Sequence, residues 1–96
     1  MEKKSMSQEN EITKLLNFSS KVVGTKQVLR GLSEGTVGCV IVAEDTERAL
    51  RDRVVGAAEA AGVPVLFAPS MAWLGNVAGI EVGAAAVGIG TREEIL

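Results

Sequence analysis

The sequence predicts an α/β fold, a three-layer α/β/α sandwich in which a small mixed sheet lies between two layers of helices. Short apolar, β-branched runs alternate with longer segments whose apolar residues recur at helical spacing. The runs are apolar at consecutive positions, which is typical of strands covered on both faces. With 96 residues, 47% of them hydrophobic, the chain has the size of one domain with its own core. We expect a flexible N-terminus over the polar residues 1–8 and a single domain over 9–96.

Two helices are predicted in the first third of the chain. Apolar residues at helical spacing predict a helix over 9–22. Gly24 interrupts that pattern, and Thr25 is the expected N-cap of a second helix that ends at Gly35.

Three strands and the helices between them are predicted for the rest of the chain. The apolar runs are Val37–Ala43, Val63–Ala68 and Ala84–Ile89. A helix is predicted over 46–61, with Asp45 as its N-cap and Gly62 as its C-terminal glycine. A shorter helix over 71–77 follows the N-cap Ser70.

The C-terminal part adds a loop and a last helix. Gly79–Gly83 is predicted to be a tight loop between the short helix and the last strand. Thr91 begins a capping-box sequence over 91–94, which predicts a terminal helix.

Composition excludes several kinds of site. The chain has no histidine, which excludes a Cys/His metal site and a histidine general base. Its one cysteine, Cys39, is predicted to be a small buried residue in a reducing compartment. The N-terminus is charged and polar and has no apolar run as long as a signal peptide or membrane span. We expect a cytoplasmic, monomeric protein that is not an enzyme. We expect it to bind no metal or cofactor and to associate with neither membranes nor DNA.

Charge is distributed unevenly along the chain. The formal net charge of −2 by itself argues against nucleic-acid binding. However, residues 1–30 are net basic and the remainder is net acidic, so the basic end can still face a polyanion.

Two segments are candidates for binding. In the first, Gly24, Thr25, Lys26 and Gln27 start a helix, where free N–H groups and a lysine attract anions. The alternative is a simple helix cap followed by a solvated lysine.

The second candidate is the loop Gly79–Gly83. It would present Ile80 and Val82 to solvent, and clustered exposed apolar side chains mark contact surfaces. The alternative is that both side chains fold back into the core. Both segments could lie on one edge of the sandwich.

These segments carry a resemblance to a known family. In order and spacing the chain resembles the kink-turn RNA-binding ribosomal-protein family, of the archaeal and eukaryotic large-subunit type, and most of all its small bacterial members. The matching blocks are Gly24–Gln27, Ala43–Asp45, Ala68–Ser70, Leu74–Gly75 and Ala78–Ala86.

The resemblance implies binding to a sharply bent RNA duplex with tandem sheared G·A pairs beside a three-nucleotide bulge; ribosomal RNA is one candidate. Gly24, Thr25, Lys26 and Gln27 would enter the widened major groove at the G·A pairs. The loop residues that would cover the extruded bulge nucleotides are Ile80, Glu81, Val82 and Gly83. Glu47 is the matching position of an acidic turn that also contributes in this family.

The chain departs from the family's tightest binders at Val22 and Val23, where those carry an Asn-Glu pair. The valines cannot form side-chain hydrogen bonds to the G·A pairs. At about 1–3 kcal/mol for a bidentate base contact, this lowers the expected affinity by roughly one to two decades. Two other functions stay open: a protein–protein adaptor that has lost RNA binding, and a small nucleotide-binding enzyme, for which a P-loop and a complete glycine fingerprint are absent.

Overall fold

The computed structural model describes residues 3–91, which form four helices and four strands. In chain order these are α1 (Lys3–Phe18), β1 (Lys21–Val23), α2 (Thr25–Glu34), β2 (Val37–Ala43), α3 (Arg48–Ala60), β3 (Val65–Ala68), α4 (Met71–Ala78) and β4 (Ala86–Gly90). Within this range, no helix has the length and apolarity needed to cross a bilayer.

The strands form one mixed sheet in the order β1-β4-β2-β3. β2 and β3 are parallel, and β4 runs antiparallel to both of its neighbours. The pairs that fix the register are Val23 with Val87, Val42 with Ala86, and Ala43 with Ala68. β1, β2 and β3 therefore end, and β4 begins, at the same end of the sheet. We call this row of strand ends the carboxyl edge, as distinct from the outermost strands β1 and β3.

Two layers of helices cover the sheet, which confirms the predicted three-layer sandwich. α1 and α4 pack on one face, where Ile41 contributes to a buried cluster with Ile12 and Leu74. α2 and α3 pack on the other, where Val40 contributes to a cluster with Val28 and Val54. Because neighbouring residues of β2 point to opposite faces, both faces are apolar and the strand reads as a continuous hydrophobic run.

The predicted helix over 9–22 is wrong at both ends. α1 begins at Lys3, six residues before the predicted start, and Gln8 Oε1 accepts a hydrogen bond from Phe67 N at 2.8 Å. α1 ends at Phe18, and Lys21–Val23 form β1 instead of the last helical turn. This strand exists because β4, more than sixty residues later, supplies its hydrogen-bonding partner.

Two predicted N-caps are also wrong. Gly24, not Thr25, is the N-cap of α2, and Glu47, not Asp45, is the N-cap of α3. The predicted cap at Ser70 is confirmed, because its hydroxyl accepts a hydrogen bond from Trp73 N. The terminal helix predicted over 91–94 lies outside the described residues except for Thr91.

Candidate nucleic-acid interface

Four segments of the chain meet at the carboxyl edge: the starts of α2, α3 and α4, and the loop 79–85 that leads into β4. Three consecutive residues at the exit of this loop each bond to a different segment. Ala84 N donates to Met71 O at the start of α4 (3.0 Å). Ala43 N, at the end of β2, donates to Ala85 O (2.9 Å), and Gly24 N, at the start of α2, donates to Ala86 O (3.0 Å). Thr46 Oγ1, just before α3, also donates to Ala85 O (3.4 Å), so the loop is joined to the segments that lead into all three helices.

The start of α2 presents free backbone donors at this edge. Gly24 has φ +109°, a conformation that L side chains rarely adopt, and among the described residues no side chain caps the helix. Val28 N, bonded to Gly24 O at 3.0 Å, is the first N–H held within the helix. The N–H groups of Thr25, Lys26 and Gln27 precede it and have no helical partner. Lys26 and Gln27 are exposed, so the helix dipole and the lysine charge act at the same place.

The other two helix starts differ from each other. At α4, Ser70 Oγ accepts from Trp73 N (3.0 Å) and Asp45 Oδ1 accepts from Met71 N (2.8 Å), so these donors are satisfied inside the protein. At α3, the N-cap Glu47 is exposed and forms no side-chain cap bond with any described residue. The starts of α2 and α3 are thus open to a ligand, whereas the start of α4 is closed.

The loop 79–85 exposes one of its two large apolar side chains. Val82 is 71% exposed, as predicted. Ile80 was expected to face solvent as well, but it is half-buried against the α1/α4 core cluster. The cause is the C-terminal end of α4, where Gly79 is left-handed (φ +85°) and Ile80 N donates to Gly75 O at 3.0 Å. This geometry turns the residue after the glycine back onto the helix.

A glycine in α4 allows the loop to lie directly on the helix. A Cβ added at Gly75 would collide with Val82 O and lie 3.0 Å from Gly83 Cα. The loop and the helix enclose a shallow depression of about 400 Å³, lined by Ala72, Asn76 and residues 80–83. Sequence analysis missed Ala72 and Asn76, although their spacing of four residues puts them on one face of the predicted helix.

The structure brings the predicted site residues to one edge. Residues 24–27, Glu47 and residues 80–83 all belong to the segments that meet there, and Glu81 and Gly83 are exposed like Val82. Val22 and Val23 lie in β1 rather than in a helix. Val23 packs against the α1/α4 core, and Val22 is 39% exposed.

Metal binding and cysteine chemistry are the other kinds of site to consider among the described residues. Across residues 3–91, no group of three or more acidic or cysteine side chains is placed to hold a metal ion. Burial, with a smaller contribution from Glu11, raises the pKa of the Cys39 thiol. The thiol form therefore prevails at neutral pH, in keeping with a structural role.

Comparison with known proteins identifies the family. A family model described as "Ribosomal protein L7Ae/L30e/S12e/Gadd45 family" matches residues 6–95. The chain belongs to this family. An RNA-binding protein of Geobacillus sp. (strain WCH70) is 50% identical over 76 residues, which cover 79% of this chain and 93% of the relative. The RNA-binding protein YbxF of Geobacillus stearothermophilus is 47% identical with the same coverage.

Solved structures show the same fold at lower sequence identity. A Bacillus halodurans protein of unknown function has a TM-score of 0.74 at 17% identity, covering 84% of this chain and 81% of that one. The Giardia lamblia 15.5kD RNA binding protein has a TM-score of 0.70 at 22% identity, covering 88% and 71%. The predicted resemblance to small bacterial members of the family is confirmed.

Proposed function

We propose that this L7Ae-family protein is a non-enzymatic RNA-binding protein that recognises and stabilises kink-turn RNA, acting as a monomer in the cytoplasm, with ribosomal RNA as one candidate target. Two relatives of 50% and 47% identity are named RNA-binding proteins. The observation that carries the proposal is the union of two features at the carboxyl edge. An uncapped helix start with Lys26 and a loop with exposed Val82 are tied together by the bond from Gly24 N to Ala86 O.

The start of α2 suits a groove that a kink has opened. The major groove of regular A-form RNA is too narrow and deep for side chains, so a helix end enters only where the duplex is bent. In this proposal Lys26 and Gln27 supply side-chain donors to base edges and phosphates at the G·A pairs. The free N–H groups of residues 25–27 add backbone donors, and Gly24 carries no side chain that would keep the RNA at a distance.

The loop 79–85 suits unstacked nucleotides. A bulge exposes the apolar faces of its bases, and Val82 covers such a face without needing an aromatic ring. Ile80 supports the loop from below, because it packs on the core. Glu81 and Gly83 flank the contact, and Glu47 lies across the edge as an acceptor for amino groups of extruded bases.

Stabilisation of the kink follows from selective binding. Free RNA samples straight and bent forms, and a protein that fits only the bent form shifts the population toward it. The protein needs shape and a few base contacts for this, so a net charge of −2 is compatible with the function.

The test is a gel-shift titration with a kink-turn RNA. We expect Lys26→Ala to weaken binding by about tenfold, which corresponds to one lost charged contact. Lys14→Ala, which removes an exposed lysine of α1, is the matched control and should bind like the wild type. An RNA whose G·A pairs are replaced by Watson–Crick pairs should bind weakly to all three proteins. Equal binding of both RNAs by the wild-type protein would contradict kink-turn recognition.

The second candidate function is a protein–protein adaptor on the same scaffold. It is favoured by Val22, an exposed apolar side chain on an edge strand. An adaptor would recover proteins from a lysate in a nuclease-resistant manner and would not retard the kink-turn RNA.

A further inference from the structure

We infer that the turn at residues 43–46 holds the loop 79–85 in its binding conformation, and that Asp45 and Thr46 are positioning residues for Val82. The inference rests on the proposed function, because it assigns these side chains a role in the same RNA-binding edge. It separates them from Glu47, the next residue, which is proposed to face the RNA directly.

The first connection runs from Asp45 through Met71. Asp45 Oδ1 accepts a hydrogen bond from Met71 N at 2.8 Å, and Met71 O accepts one from Ala84 N at 3.0 Å. The loop also touches Met71 at Gly83, where an added Cβ would lie 3.2 Å from both Met71 Cβ and Met71 O. Met71 is therefore bonded to the turn through its N–H and to the loop through its carbonyl oxygen.

The second connection runs from Thr46 to the next residue of the loop. Thr46 is 6% exposed, and its Oγ1 donates to Ala85 O at 3.4 Å, beside the shorter bond from Ala43 N at 2.9 Å. The turn closes on itself through Thr46 N and Ala43 O at 3.2 Å. A hydroxyl that is buried from solvent has a strong preference for a protein hydrogen-bond partner.

Together the two connections hold consecutive residues, Ala84 and Ala85, from one turn. Val82 lies two residues before Ala84, so its position depends on where these bonds place the chain. The bond from Glu44 N to Ala68 O at 2.8 Å joins the turn to β3, which makes it a rigid support. At the start of α4, Ser70 caps the helix through Trp73 N, and the bond from Met71 N to Asp45 is a second, separate connection.

The sign of a charge effect distinguishes positioning from simple electrostatics. A carboxylate close to RNA repels phosphate, so removing an acid that only contributes charge strengthens binding. If Asp45 positions the loop, Asp45→Ala weakens binding although it removes a negative charge. Asp45→Asn keeps an acceptor oxygen for Met71 N and should bind at least as well as the wild type.

The experiment combines amide hydrogen exchange on the free protein with the kink-turn titration. We expect Asp45→Ala to accelerate exchange at the Ala84 amide by about tenfold and to weaken RNA binding by about fivefold. Thr46→Val, which keeps the side-chain shape, should accelerate exchange at the Ala43 amide. Asp52→Ala, which removes an exposed acid of α3, is the matched control and should leave both exchange rates unchanged and RNA binding unchanged or tighter.

Each outcome decides the inference. Wild-type exchange at Ala84 in Asp45→Ala overturns it, even if RNA binding falls, because Asp45 would then contact the RNA itself. Faster exchange with unaltered RNA affinity also overturns it, because the loop position would not matter. If the wild-type protein does not bind the RNA at all, the proposed function fails, and the exchange data alone decide whether the turn positions the loop.

Discussion

Val82 is a large apolar side chain whose exposure to solvent does not stabilise the fold. At 71% exposure it contributes little buried apolar area, and it stands on a loop whose neighbour Ile80 does pack on the core. Of the two large apolar residues of the loop, Ile80 thus contributes to the core and Val82 to the surface. Only the structure separates them, because both alternate with polar or small residues in the same way along the chain.

This division predicts the effect of polar substitutions at Val82. Val82→Asp and Val82→Ser should change the free energy of unfolding by less than about 0.5 kcal/mol, since the side chain is mostly in solvent. Both should weaken kink-turn binding. Val82→Asp should lower the RNA affinity by more than about tenfold relative to the wild type, because it adds repulsion of phosphate to the lost apolar contact. Thermal melting and gel-shift titration measure the two effects. Parallel losses of stability and binding would mean that the side chain belongs to the core.

Asp45 and Ser70 show what a local pattern predicts about a helix cap. The local sequence predicts Ser70 as an N-cap, and its bond from Trp73 N confirms this. Asp45 stands equally well before a helix in the sequence, but its carboxylate reaches Met71, twenty-six residues away. A local pattern cannot distinguish the cap of the next helix from the cap of a helix brought close by the sheet.

At the level of elements, α4 and the loop that follows it form one packed unit. Gly75 lies inside the helix, where glycine normally lowers stability by about 1 kcal/mol relative to alanine. Here it allows the carbonyl of Val82 to approach the helix backbone. The position of the loop therefore depends on the absence of a side chain in the helix.

A pair of glycine substitutions tests this packing. Gly75→Ala should destabilise the protein by about 1–3 kcal/mol and displace the loop, because the new Cβ would meet backbone atoms that cannot move aside. Gly56→Ala in α3 is the matched control: a Cβ there meets nothing within 4 Å, so about 0.5–1 kcal/mol of added stability is expected. Chemical denaturation of both variants measures the difference. A stabilised Gly75→Ala protein would show that the loop does not rest on the helix.

β1 is the element that the sequence analysis missed. Its first two residues, Lys21 and Val22, fall within the helix predicted over 9–22, because no glycine or proline interrupts the sequence before Gly24. The strand is too short for a two-residue period to be recognised. Its pairing with β4 is what defines it, and it places Gly24 beside Ala86.

At the level of the whole molecule, the topology gathers helix starts rather than positive side chains. β1, β2 and β3 all end at the carboxyl edge, so α2, α3 and α4 all begin there. Their dipoles point positive ends toward the edge in a chain of net charge −2. Each open helix start therefore places a partial positive charge at this edge, beside the exposed carboxylates of Asp45, Glu47 and Glu81.

This arrangement predicts a weak dependence of RNA binding on salt. With Lys26 and Arg48 as the exposed cations at the two open helix starts, about two phosphates are neutralised. Between 50 and 200 mM salt the affinity should then fall by about tenfold, far less than for a protein with many phosphate contacts. A titration series over this range measures the slope. A loss of a thousandfold or more would indicate an extensive basic surface in place of shape recognition.

The sequence by itself determined the fold class, the three longer strands and the cap at Ser70, and it predicted the two candidate binding segments. Each depends on a local regularity: consecutive apolar residues for covered strands, helical spacing, a capping residue, or glycines around a loop. The family resemblance is carried by these same local blocks, so it is visible in the sequence alone.

Only the tertiary structure decided which segments meet and which side chains face outward. The strand β1, the contact of Asp45 with Met71, the burial of Ile80 and the close approach at Gly75 all join residues that local patterns treat separately. The physical reason is that hydrogen bonding and packing at the carboxyl edge depend on the order and register of the strands. Those are set by the packing of the whole sandwich rather than by any single stretch of the chain.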